Sequence, residues 1–191
     1  MRVFISGGCK NGKSYYAQRL AHAMRRTGLY YIATMRPSDV EDHERILRHR
    51  RERLGWGFET VEQPENIPEI LDKCDPDASF LLDSLTALLS NEMFPPGKAA
   101  INYGAADKIT GEMIELLDSV RDIVVVSDFI YSDGLLYDGP AEWFRRSLAQ
   151  IDRAVAARSD AVIEIVFSGA VVHRGAERLR REGLLPAGGA A

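Results

Sequence analysis

Apolar and polar positions along this chain alternate in blocks rather than residue by residue. "RVFIS" (2–6), "LYYIAT" (29–34), "SFLLDS" (79–84) and "DIVVVSD" (122–128) are short and almost uninterrupted by polar residues. Runs of that length and uniformity are expected of strands covered on both faces. "FETVE" (58–62) reads as a further strand, and "DAVIEIVFSG" (160–169) with "AVVHRG" (170–175) as a closing hairpin at a sheet edge. Helical periodicity fills the intervals at 14–26, 38–55, 85–94, 105–120 and 140–159, with a short helix at 65–74 and a loop at 94–104. Ser38 and Glu41 have the spacing of a capping box, and Gly55 marks a stop. Strands separated by helices predict an α/β fold of mostly parallel sheet with helices on both faces.

Composition narrows the class. The 191 residues are 46% hydrophobic and 27% charged, with a formal net charge of -4. This predicts a single soluble domain over 1–185, followed by a disordered tail at 186–191. Net acidity argues against a nucleic-acid partner. Two cysteines, Cys9 and Cys74, suggest neither a disulfide framework nor a zinc site. The start lacks a secretory layout and no apolar run spans a membrane, so a cytoplasmic location is expected.

Gly7–Ser14, "GGCKNGKS", matches G-x-x-x-x-G-K-[ST] between a predicted strand and a predicted helix. In that context Gly7, Gly8, Cys9, Lys10, Asn11 and Gly12 form a P-loop turn whose N–H groups converge on phosphate. Lys13 reaches the β/γ-phosphates and Ser14 ligates Mg2+. A nucleoside triphosphate is therefore the expected ligand. Asp83, at the end of a strand, is expected to complete the metal shell, with a helix N-cap as its alternative role.

"HERILRHRRER" (43–53) places five arginines around His49 in an acidic chain. Arg45, His49 and Arg53 share a helix face, while Val40, Leu47 and Leu54 recur at seven and should anchor the opposite side. A solvated charged face is the simplest reading. A histidine among guanidinium groups is also suited to nucleophilic attack on phosphorus, because the cations disfavour imidazolium and stabilise the departing pyrophosphate.

The ordered set "SGGCKNGKS", "YYIAT", "RILRH", "TVEQP" and "LLDSLTALLSN" resembles the bifunctional adenosylcobinamide kinase / adenosylcobinamide-phosphate guanylyltransferase family. The resemblance implies a RecA-like P-loop fold and two reactions. A nucleoside triphosphate, ATP or GTP, phosphorylates adenosylcobinamide. GMP is then transferred from GTP through a guanylylated histidine, His49, giving adenosylcobinamide-GDP. A P-loop kinase without guanylyl transfer is the alternative. The resemblance further implies nucleotide contacts at Thr34, Met35, Arg36, Arg50, Arg51, Glu52, Arg53, Glu62 and Asp83, and a homo-oligomer, a trimer by resemblance. The chain departs from the family at "SDFIYSDG" (127–134), where an Asn-Glu-Val-Gly stretch is usual; Asp128 keeps an acid, but the glycine turn is rearranged. That substitution bears on the acceptor side. Trp143 and Phe144, an aromatic pair on one helix, are expected in the core.

Overall fold

The computed structural model describes residues 1–37, 40–97, 100–131, 134–135 and 137–185, with Glu41 and Arg45 described by backbone alone. Ser38 of the expected capping box and the expected tail at 186–191 lie outside the described residues. The elements follow the hydrophobic blocks. β1 (Arg2–Gly7), β2 (Leu29–Ala33), β3 (Glu59–Glu62), β4 (Ser79–Asp83), β5 (Asp122–Asp128), β6 (Ala161–Val166) and β7 (Gly169–Arg174) form one sheet among the described residues, in the order β3-β2-β4-β5-β1-β6-β7. All pairings are parallel except β6 with β7, the predicted edge hairpin.

Helices cover both faces, as expected. α1 (Lys13–Ala23) packs on one face, and α3 (Leu85–Met93), α4 (Ala105–Ser119) and α5 (Gly139–Arg158) on the other. The faces are sorted by the period of two along each strand. In β1, Val3 and Ile5 join the α1 side, while Phe4 joins the α3–α5 side. The predicted helix at 65–74 is a 3₁₀ helix, Ile67–Asp72. A final helix, α6 (Ala176–Arg181), was not expected; it is one and a half turns long and presents only Leu179 to the core, too little for a readable period. No helix among the described residues is long and apolar enough to cross a membrane. Cys9 and Cys74 are both free thiols.

α2 (Val40–Glu52) corrects the expectation for its apolar stripe. Val40 and Leu54 are about three-quarters exposed, at 75% and 74%, and Leu47 is half exposed. The side of the helix toward the sheet edge carries His49, Arg50 and Glu52 together with Ile46 and Leu47. Arg53 is buried, with its guanidinium 3.8 Å over the Tyr31 ring and Nη2 donating to Thr60 Oγ1 at 3.1 Å. The aromatic expectation is corrected in half: Phe144 packs against the core, but Trp143 is 45% exposed, edge-to-face with Tyr103. Trp143 lies near the start of the long α5, where its ring meets Tyr103 rather than the core, so helical spacing alone does not bury it.

Candidate functional site

Parallel register brings the carboxyl ends of β1, β2, β4 and β5 to one edge, the usual place for ligands in α/β sheets. Gly7 lies beside Asp128, and Ala33 beside Asp83. A cavity of about 710 Å³ opens there, between the loop after β1 and the inner side of α2.

The loop has the backbone that its sequence demands. A Cβ on Gly7 would stand 2.6 Å from the Ile165 carbonyl oxygen, so β6 can approach only a glycine. Gly12 precedes α1 at φ 90, in the left-handed region that glycine adopts without cost. Asn11 braces the turn, donating from Nδ2 to the Ile165 carbonyl and accepting from Lys13 N–H at 3.2 Å. The Lys13 side chain is buried across the loop: its ammonium donates to the Gly8 carbonyl at 3.1 Å and stands 2.5 Å from Asp128 Oδ1.

Asp83 and Ser84 divide two tasks between adjacent residues. Ser84, not Asp83, is the N-cap of α3, its hydroxyl accepting from Ala87 N–H at 3.3 Å. The Asp83 carboxylate is thereby left to the cavity, where Oδ2 accepts from Tyr31 Oη at 3.0 Å. Burial, and then the Asp83 charge, push the Tyr31 phenol well above its ordinary value, so it stays a donor. His49 Nδ1 is buried, 3.8 Å from Asp83 Oδ2, and has no hydrogen-bond partner among the described residues. Of the five arginines expected around His49, Arg48, Arg50 and Arg53 line the cavity with it, Arg51 does not, and the Arg45 side chain lies outside the described residues. Arg50 turns to Glu62 at 2.9 Å, Arg53 stacks on Tyr31, and the charged group facing His49 Nδ1 is a carboxylate.

The cavity gathers most of the expected residues: Cys9, Lys10, Asn11, Gly12, Lys13 and Ser14 from the loop, Met35 after β2, His49, Arg50 and Glu52 from α2, Arg53 just after it, and Glu62 and Asp83 from the strand ends. Others stand outside its lining. Gly7 and Gly8 shape the loop from behind. Thr34 is fully buried and holds Ser84, its hydroxyl donating to the Ser84 carbonyl at 2.8 Å and accepting from Ser84 N–H at 2.7 Å. Arg36 pairs with Glu65 at 2.8 Å, and Arg51 is exposed. Tyr31 and Thr60 line the cavity without having been singled out, and Asp128, noted only as a retained acid, lines it too. Tyr31 and Thr60 meet through the β2–β3 register, which a linear reading does not show, and only the position of Asp128 at the end of an apolar run carried a signal.

Ser14 and Asp83 supply a hydroxyl and a carboxylate, the hard oxygen donors that Mg2+ prefers. Among the described residues no group of three His, Cys, Asp or Glu could hold a metal. The pair fits a cation completed by phosphate oxygens and water rather than by a protein cage.

Known proteins extend this picture. The profile of the family described as cobinamide kinase / cobinamide phosphate guanyltransferase matches residues 3–173. The bifunctional adenosylcobalamin biosynthesis protein CobP of Pseudomonas aeruginosa is 37% identical over 92 residues, 48% of this chain and 52% of that protein. The protein CobU of the same description from Salmonella typhimurium is 24% identical over 176 residues, 87% of this chain and 96% of that protein. The chain thus matches about half the length of the first relative and nearly all of the second. Among solved structures, an ATPase from the type III secretion system of pathogenic bacteria shares the fold at a TM-score of 0.50 and 13% identity, over 97% of this chain and 54% of the other. With its profile matched from β1 to β7 and its P-loop and His49 brought to one cavity, the chain belongs to the cobinamide kinase / cobinamide phosphate guanyltransferase family.

Proposed function

We propose that this protein phosphorylates adenosylcobinamide with a nucleoside triphosphate and then transfers GMP from GTP to the phosphate through His49. The observation that carries this reading is the shared cavity: His49 on α2 and the phosphate loop after β1 line the same space. A simple P-loop kinase has no use for a half-buried histidine there. In phosphorylation, Lys13 and the loop N–H groups hold the β/γ-phosphates and stabilise charge as it develops. Ser14 and Asp83 would hold Mg2+, which when bound neutralises charge on the phosphate oxygens.

In guanylyl transfer, the Asp83 carboxylate beside Nδ1 favours the tautomer protonated there and leaves Nε2 as the nucleophile. Nε2 attacks the α-phosphorus of GTP; a phosphorus–nitrogen bond forms, the bond to the bridging oxygen breaks, and pyrophosphate leaves with the electron pair. The phosphate of the acceptor then displaces the imidazole. The cations that line the cavity and serve this step include Lys13, Arg48, Arg50 and Arg53. A cytoplasmic homo-oligomer, a trimer by the family resemblance, belongs to the same reading.

Intact mass after incubation with GTP and magnesium tests it. The protein should gain one GMP, on a bond stable to base and labile to acid. No adduct under turnover conditions would leave a kinase alone.

A further inference from the structure

The end of β5 holds a carboxylate to which the two proposed reactions assign no task. Asp128 lines the cavity, sits beside Gly7 in register, and places Oδ1 2.5 Å from Lys13 Nζ. Its N–H is held by Thr86 Oγ1 at 3.0 Å. The next residue, Phe129, is pinned by its N–H to the Gly7 carbonyl at 2.9 Å, yet its side chain is 42% exposed. The Phe129 ring stands edge-to-face with Tyr131, centroids 4.7 Å apart. Tyr131 in turn donates to the buried Asp152 on α5 at 3.1 Å. A carboxylate in the cavity is thus followed directly by an exposed aromatic ring at the end of β5, the strand between β1 and β4.

We infer that Asp128 and Phe129 form the acceptor subsite of phosphoryl transfer, for an alcohol carried on a large ligand with an apolar face. The inference rests on the kinase half of the proposed function. The ammonium that touches Asp128 is the group that clamps the β/γ-phosphates, so the carboxylate stands next to the phosphoryl group in flight. His49 and Asp83 meet one strand farther from the loop, at the end of β4. The acceptor hydroxyl therefore reaches the phosphoryl group at the end of β5, where the Phe129 ring is exposed next to Asp128 in the chain. Its oxygen attacks the γ-phosphorus; an oxygen–phosphorus bond forms, and the bond to the bridging β-phosphate oxygen breaks. The nucleoside diphosphate leaves with the electron pair, and the hydroxyl proton passes to the Asp128 carboxylate and on to water. This assigns a task to the stretch where the chain departs from its family.

The test measures two rates on the full chain with magnesium: conversion of cobinamide to its phosphate, and GMP labelling from GTP in the absence of cobinamide. Asp128→Asn should lower kcat for phosphorylation by about a hundredfold or more, as for loss of a general base. Its labelling rate should fall far less, by a factor at least about thirty smaller, which also shows that the variant folds. Phe129→Ala should raise KM for cobinamide about tenfold with little change in kcat, the effect of losing apolar contact on the ligand. Phosphorylation by Asp128→Asn near the wild-type rate, or equal loss of both activities, would overturn the assignment of the base. An effect of Phe129→Ala confined to oligomeric state would show that a second copy covers the ring and overturn the platform. Wild-type protein that makes no cobinamide phosphate would overturn the kinase reading and this subsite together; wild-type activity with an indifferent Asp128→Asn overturns the subsite alone.

Discussion

Asp152 shows how one side chain couples the fold to the pH scale. It is buried on α5 beneath the ends of β1 and β5, and it accepts from Tyr131. Burial raises its pKa to about 7, with the Asp128 charge adding in the same direction and the Tyr131 hydrogen bond opposing it. In the unfolded chain it titrates near the ordinary aspartate value, about 3.9. Between those values the folded protein holds a proton that the unfolded chain has released. Its contribution to stability therefore falls as pH rises from about 4 to 7, and above that it is a constant penalty of at most about 4 kcal/mol. Asp152→Asn removes the titration. Urea denaturation should show the variant gaining on wild type by up to about 2–3 kcal/mol more at pH 8 than at pH 5. An equal difference at both values would place the aspartate proton elsewhere. Residues differ in how plainly the sequence announces them. Lys13, Ser14 and Asp83 were legible because a local motif or a strand end fixes them. Tyr31 was not, because its partners Asp83 and Arg53 are brought to it by β4 and α2, far along the chain.

At the scale of elements, the sequence predicted the seven strands described: β1, β4 and β5 as runs buried on both faces that need no period to be found, and the more exposed β3, β6 and β7 as short apolar stretches toward the sheet edges. α2 was legible as a helix and misread as a surface. Seven-residue spacing puts Val40, Leu47 and Leu54 on one side, but no sheet lies under that side. Its inner side faces a cavity, where polar groups are retained for chemistry rather than for packing. Thr34 makes the complementary case. The family pattern marks the position as a nucleotide contact, whereas its hydroxyl joins the end of β2 to the start of α3 through both backbone groups of Ser84. Thr34→Val keeps the shape and strands a buried donor and acceptor, which costs about 1–3 kcal/mol for each unsatisfied group. Thermal or urea unfolding should register that loss, and Thr34→Ser should restore most of it. If Thr34→Val raised the nucleotide KM with unchanged stability, the residue would be a ligand contact after all.

For the whole molecule, the sheet order brings both chemistries to the same side of one phosphate loop. β5 sets Asp128 next to the loop, and β4, β2 and β3 set Asp83, Tyr31 and Glu62 successively farther along the same edge. One triphosphate-binding turn can in this way serve an alcohol near Asp128 and a histidine near Asp83. His49→Ala should then separate the reactions. Phosphorylation requires the loop, Lys13 and an acceptor hydroxyl, none of which involves the imidazole. Guanylyl transfer through a covalent adduct requires a nucleophile, which alanine lacks. The variant should convert cobinamide to its phosphate at a rate within about threefold of wild type, because Lys13 keeps its partners, the Gly8 carbonyl and Asp128, when the ring is lost. It should form no GMP adduct and no GDP-linked product, a loss of about a thousandfold or more against wild type. Chromatography of the corrinoid products, read beside intact mass with GTP, distinguishes the outcomes. An acid-labile adduct in His49→Ala would assign the nucleophile to another residue, and equal loss of both steps would make His49 a structural support for α2 rather than the group that carries GMP.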